Sequence, residues 1–188
     1  MLAMLLLAFL ISADALVEGP CGLPRANEPA LRSIAAATNR AQLQSARSRW
    51  ASDDPIARLF VASRIAELSP GVDSDDALID ALPNREDTVT LMYSFTLGCS
   101  APESIVLFGG GSWIQQARDA VIRQRRGVRA FLMLTWLYRG NADVGESLPD
   151  SIEAVRLALP AEYSRALKSL PAEVRAMVIG GRELLPSQ

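Results

Sequence analysis

The chain has 188 residues, 49% of them hydrophobic, and a formal net charge of −2, a composition typical of one globular domain with a sizeable core. This charge gives no strong field that would favour binding to nucleic acid or to an anionic membrane. The sequence has no histidine, which excludes a Ser-His-Asp triad, a Cys-His pair and a histidine-ligated zinc. It also has only two cysteines, too few for a zinc-thiolate cage.

The N-terminal segment has the pattern of an export signal. The apolar run Met1–Ile11 is followed by Ala13-Asp14-Ala15, which fits the small-residue rule for cleavage. We therefore predict that residues 1–15 are a signal peptide and that the protein is exported, periplasmic or secreted. The n-region has no Lys or Arg and offers only the amino terminus of Met1, so a buried N-terminal helix and an uncleaved anchor stay open as alternatives.

The predicted export bears on the oxidation state of the two cysteines. In an oxidising compartment Cys21 and Cys99 are expected to form a disulfide. Closing so long a loop would stabilise the fold by about 4 to 5 kcal/mol in the chain-entropy model. The alternative is that each cysteine is a separate, small, buried hydrophobic residue.

The mature N-terminus is predicted to be an irregular lead-in over residues 16–27, because Gly and Pro are frequent there. One helical domain is predicted over residues 28–184. Asn27 is placed to cap its first helix, which we expect to end near Trp50. Ser52-Asp53-Asp54-Pro55 predicts the start of a second helix, and Ser69-Pro70-Gly71 predicts its end.

An acidic cluster follows this second helix and consists of Asp73, Asp75, Asp76 and Asp80. It is not an EF-hand loop, because Ala77 and Leu78 stand where such a loop needs an oxygen ligand and a glycine. We predict that these carboxylates stabilise the N-terminal end of a short helix that runs through Leu82.

Two more helices are predicted between residues 83 and 108, and a glycine-rich turn at residues 109–111 with Ser112 as N-cap then leads into the next helix. The apolar face of that helix is predicted to consist of Trp113, Ile114, Ala117, Ala120 and Val121. Its far face is predicted to carry Arg118, Arg123, Arg125 and Arg126. Gly127 is predicted to turn the chain into the following segment.

Val128–Tyr138 is apolar nearly all the way round and rich in good helix formers. A helix without a polar face must be surrounded by other elements, and this one is too short to cross a bilayer. We therefore predict that it is the central helix of the domain.

The last part of the chain is predicted to begin with a loop over residues 141–148. Pro149 is expected to open a helix that buries Ile152, Val155, Leu157 and Leu159. The motif Leu-Pro-Ala-Glu, at residues 159–162 and 170–173, predicts the start of two further short helices. Residues 180–181, both glycine, are expected to end the last one.

Helical patterns without a strand pair predict an all-α fold, a single-domain bundle of many short helices. HEAT-like stacking of helix pairs is one arrangement that short helices joined by Pro or Gly turns allow. No membrane span is expected once the signal peptide has been cleaved.

The sequence favours a non-catalytic protein-binding module of the adaptor, chaperone, inhibitor or immunity type, with no cofactor and no metal. The predicted partner-binding residues are Arg118, Arg123, Arg125 and Arg126 beside an exposed edge of Trp113, since arginine and tryptophan often dominate binding energy. A solvated helix end is the alternative explanation of the arginines. The protein partner itself is not identified by the sequence.

The alternative function is cleavage of cell-wall glycan with Glu103 as the general acid. Glu103-Ser104 resembles the catalytic Glu-Ser pair of lytic transglycosylases, but the resemblance covers two residues only. The chain lacks the Gly-Leu-Met-Gln type of stretch that follows the pair in that family. A first-turn helix residue stabilised by the helix dipole explains Glu103 as well.

Overall fold

The computed structural model describes residues 33–34, 36–48, 55–84, 113–137, 139 and 142–183. These residues form eight bounded helices and no strand, which confirms the all-α fold. The helices are α1 (Arg40–Arg47), α2 (Pro55–Leu68), α3 (Val72–Asp80), α4 (Trp113–Gln124), α5 (Val128–Leu137), α6 (Ala142–Ala158), α7 (Pro160–Ser169) and α8 (Ala172–Glu183).

The prediction of one uninterrupted helix up to Trp50 is wrong, because the helical backbone breaks after residue 36. Asn39 caps α1: its side chain accepts a hydrogen bond from the Gln42 amide at 3.0 Å, and the Gln42 side chain accepts one from the Thr38 amide at 2.8 Å. Arg64 of α2 donates to the Ala37 carbonyl at 3.1 Å and so satisfies a backbone group at the break.

The predicted start of α2 at Pro55 and its end before Ser69 are confirmed. α3 follows one short turn later, with Asp73 and Asp75 in its first turn, where carboxylates are favoured by the helix dipole. α3 ends at Asp80, two residues before the predicted Leu82. Consecutive helices in this part pack on one another, α1 on α2 and α2 on α3.

The apolar face of α4 is confirmed, because all five residues predicted for it are buried. The helix packs most extensively on α3 and α6, and it also contacts α2 and α5. Small residues make this close packing feasible, since Ala117 and Ala120 are both fully buried. α4 therefore connects the N-terminal helices to the C-terminal ones.

The prediction that Val128–Tyr138 forms a central helix is confirmed for α5, which contacts α4, α6, α7 and α8. Five of its apolar side chains are buried: Val128, Phe131, Leu132, Leu134 and Leu137. Arg129 is the exposed exception in its first turn.

The start of α6 and the burial of one of its residues differ from prediction. Residues 142–148 are helical, not a loop, and Pro149 lies inside α6. Proline removes one backbone hydrogen bond there, and burial of Leu148, Ile152 and Val155 offsets that loss. Leu157, predicted to be buried, is 66% exposed.

Both Leu-Pro-Ala-Glu motifs start a helix as predicted, and the leucine of each is buried, Leu159 before α7 and Leu170 before α8. The predicted end of the last helix at residues 180–181 is wrong, because α8 runs on to Glu183. The two glycines are tolerated inside the helix since glycine weakens a helix by only about 1 kcal/mol relative to alanine. HEAT-like stacking stays a prediction.

Among the described residues, no helix combines the length and the apolar character needed to cross a membrane.

Candidate functional site

The arginines near the end of α4 are the predicted partner-binding residues, and the structure places two of them against α3. Arg123 forms a two-pronged contact with Asp75: its Nε lies 2.9 Å from Oδ2 and its Nη2 lies 2.7 Å from Oδ1. Gln124 donates to the same carboxylate at 3.1 Å. The Asp75 side chain is only 3% exposed, whereas that of Arg123 is 56% exposed, so a buried carboxylate is neutralised from the surface.

Arg126 binds the outer part of the acidic cluster. Its Nε lies 2.6 Å from Asp76 Oδ1, and its Nη1 lies 2.9 Å from Asp80 Oδ1. Its Nη2 also donates to the backbone carbonyl of Asp76 at 3.0 Å. One guanidinium thus joins two carboxylates and one backbone group, which the several donors of arginine permit and a lysine would not reproduce.

These six residues, Asp75, Asp76, Asp80, Arg123, Gln124 and Arg126, are called the α3–α4 clamp below. Arg123 holds the pKa of Asp75 below its ordinary value of 3.8, and burial, which acts in the opposite direction, is the smaller effect. Hydrogen bonds from the guanidiniums to Asp75 and to Asp80 raise the pKa of Arg123 and of Arg126, respectively. Asp75, Arg123 and Arg126 are therefore ionised at neutral pH, and the three carboxyl groups of the clamp face two guanidiniums.

The remaining two arginines also have carboxylate partners. Arg125 pairs with Glu162 of α7 at 2.7 Å, and Arg118 pairs with its neighbour Asp119 at 2.7 Å. The pKa of Glu162 is lowered by two hydrogen bonds to its carboxylate. The larger effect comes from the backbone amide of Glu162 itself, and the smaller comes from the Arg125 side chain. Arg125 has a positive φ of 53°, which places it in the left-handed turn that ends α4.

One premise of the predicted binding surface is therefore wrong. Trp113 has no exposed edge, because it is fully buried in the core. Each of the four arginines is paired with a carboxylate, and three of them join α4 or its end to another helix. Sequence reasoning recognised the acidic cluster and the arginines separately, and missed that they bind one another. Whether the arginines also bind a partner stays a prediction.

Other predicted sites lie outside the described residues. These are Glu103, the cysteines Cys21 and Cys99, and the signal peptide of residues 1–15. Among the described residues, no group of three His, Cys, Asp or Glu side chains is placed to hold a metal ion.

The turn between α2 and α3 has an exposed apolar surface that sequence reasoning missed. Val72 is 62% exposed and Leu68 is 38% exposed, and they flank an exposed Pro70. Arg40, the first residue of α1, lines the same shallow depression as Pro70 and Val72. We call Arg40, Leu68, Pro70 and Val72 the turn surface. The Leu-Ser-Pro-Gly-Val sequence of residues 68–72 was its available signal, because apolar residues that flank a tight turn have little core to enter.

Comparison of the chain with protein-family models, with curated proteins and with solved structures finds no match.

Proposed function

We propose that this chain is an exported, non-catalytic protein-binding module of the adaptor, chaperone, inhibitor or immunity type. The observation that carries the proposal is the turn surface, where Leu68 and Val72 are exposed and Val72 lines one depression with Arg40. A catalytic site would need charged side chains, but the carboxylates and arginines of the α3–α4 clamp pair with one another and join two helices. The absence of histidine from the sequence supports the same conclusion.

The chemistry of the turn surface suits contact with another protein. Protein interfaces combine an apolar centre with a polar rim, and arginine is enriched in them. Leu68, Pro70 and Val72 supply the apolar part, and Arg40 and Asp73 supply charges of both signs at the depression that Pro70 and Val72 line. Because the surface lies at a tight turn between two helices, it would be presented to a partner with little rearrangement.

The test is partner capture from the export compartment with substitutions that remove exposed aliphatic groups. Val72→Gln should abolish or strongly weaken capture of the partner that the wild type retains. Leu157→Gln is the matched control, because Leu157 is also a helical aliphatic residue and is 66% exposed, close to the 62% of Val72. Equal capture by both variants and the wild type would exclude the turn surface as the binding site.

The arginines remain a second proposed contact, and the clamp changes how they must be tested. Charge reversal at Arg123 or Arg126 would place carboxylates against the acidic residues of α3, so loss of binding could follow from damage to the fold. Arg125, with a side chain that is 64% exposed, is the better choice. If an acidic partner binds there, Arg125→Gln should weaken capture most at low salt.

The proposed export has its own tests. Intact-mass measurement of the protein from its host should give a mature chain that begins near Leu16. A soluble cytoplasmic form that retains residues 1–15 would contradict export. A non-reducing peptide map should join Cys21 to Cys99, and two free thiols in an oxidising compartment would refute the disulfide.

A further inference from the structure

Charged contacts add to apolar packing in the attachment of α3 to α4. The buried residues within α3 are Ser74, Asp75, Leu78 and Ile79, so only two of its buried side chains are apolar. α5, in contrast, buries five apolar side chains. What joins α3 to α4 in addition is the α3–α4 clamp, with its guanidinium–carboxylate contacts between helices far apart in sequence.

The clamp is the main charged contact that α3 makes with its described neighbours. α3 packs on α2 and α4. From α4, Arg123 and Gln124 act on Asp75, and Asp119 acts on Arg123. On α3 itself, Asp73 is exposed.

From α2, the charged residues are Arg58, Arg64 and Glu67. Arg58 is exposed, while Arg64 pairs with Glu67 and with the carbonyl of Ala37. Arg64 and Glu67 of α2 therefore bind each other and a backbone carbonyl outside the clamp. Loss of the clamp charges would leave α3 attached mainly by Leu78, Ile79 and the neighbouring Leu82.

We propose that the clamp is a salt- and acid-sensitive latch, whose release lets α3 open as a unit while α5, α6, α7 and α8 stay folded. Opening exposes Leu78 and Ile79 and frees the end of α4. Local opening of a helix with few buried apolar contacts is an ordinary property of native proteins, and the latch sets its population here.

The acid response has a defined sign. The pKa of Asp75 in the folded chain lies below its ordinary value of 3.8, so the pairing of Asp75 contributes fully to stability at neutral pH. This contribution is lost as the pH falls below 3.8 and passes the lowered pKa of the folded chain. The salt response comes mostly from Arg126, because its contacts with Asp76 and Asp80 are partly exposed and concentrated salt screens them.

The experiment is hydrogen exchange of the full chain at pH 7, followed by mass spectrometry of peptides from α3 and α5. Arg126→Gln should raise the exchange rate of α3 amides by about threefold to tenfold and leave α5 unchanged. Raising NaCl from about 0.1 M to about 1 M, where the screening length falls to about 3 Å, should do the same to the wild type. Arg156→Gln is the matched control, because the ion pair of Arg156 with Glu153 lies within one helix, α6.

Two results would overturn the proposal. The first is unchanged α3 exchange in Arg126→Gln and in concentrated salt, which would mean that apolar contacts alone hold the helix. The second is an equal rise in α3 and α5, which would mean that α3 opens only when the whole domain unfolds. Asp75→Asn supplies a second variant with the same expected pattern, and none of these outcomes depends on identifying a partner.

Discussion

Gly127→Ala is the substitution for which the structure makes the sharpest stability prediction. Gly127 joins α4 to α5 with a φ of +75°, a conformation that costs a residue with a Cβ about 1 to 2 kcal/mol. An added Cβ would also lie well inside van der Waals contact with Cγ2 of Ile79, which is buried on α3. Ile79 is β-branched and cannot swing aside freely, and overpacking of this kind costs about 1 to 3 kcal/mol.

The two effects together should lower the free energy of unfolding by about 2 to 5 kcal/mol. Urea denaturation monitored by circular dichroism measures the difference. Gly180→Ala is the matched control: Gly180 lies inside α8, its added Cβ would meet nothing within 4 Å, and the change should stabilise the protein by about 0.5 to 1 kcal/mol. The same sign for both variants, or a loss below about 1 kcal/mol for Gly127→Ala, would refute the reasoning.

The other predictions concern the core, the clamp, the end of α4 and the alternative function. Leu134→Ala should lower the free energy of unfolding by about 2 to 5 kcal/mol in urea melts, because Leu134 is fully buried; a loss below about 1 kcal/mol would contradict its place in the core. The wild type should lose stability in melts from pH 5 to pH 2, and Asp75→Asn should show a smaller pH dependence, because the lowered pKa of Asp75 makes its protonation destabilising; parallel curves would contradict this. Arg125→Gly should be neutral or slightly stabilising in the same melts, because relief of the positive φ offsets loss of the pair with Glu162, in which the arginine is exposed, and a loss above about 1 kcal/mol would show that the pair matters more. Purified wild type should not digest cell wall, and digestion that Glu103→Gln abolishes would establish the alternative enzyme.

The fold could be predicted from the sequence wherever the spacing of apolar residues indicates which face of a helix is buried. The five buried residues of α4 follow from helical spacing alone, and α5 follows from its lack of a polar face. Pro149 was misread because a local stop signal can be overridden by tertiary burial, which no local pattern reports. The break before α1 was missed although Asn39 and Gln42 stand at the spacing of a reciprocal cap.

The clamp could not be predicted for a different reason. Asp75 and Arg123 are 48 positions apart, so their pairing exists only after α3 and α4 have packed. The dipole of α3 explains its aspartates, and the dipole of α4 explains the arginines at its end. Neither pattern in the sequence therefore required a pairing between the two helices. The turn surface was missed because Ser69-Pro70-Gly71 was interpreted only as the end of a helix, and the exposure of the flanking aliphatic residues was not considered.

Arginine side chains also donate hydrogen bonds to backbone carbonyls at helix ends, as the contact of Arg64 with the Ala37 carbonyl illustrates. Arg139 donates to the Trp136 carbonyl at 2.9 Å, and Arg175 donates to the Leu170 carbonyl at 3.1 Å. A guanidinium keeps its charge at every pH in which the protein is handled, and no side chain in this histidine-free sequence has an ordinary pKa between 5 and 8. The melting temperature should therefore form a plateau across that range, so a protein that meets neutral and mildly acidic surroundings in turn would keep the same shape in both.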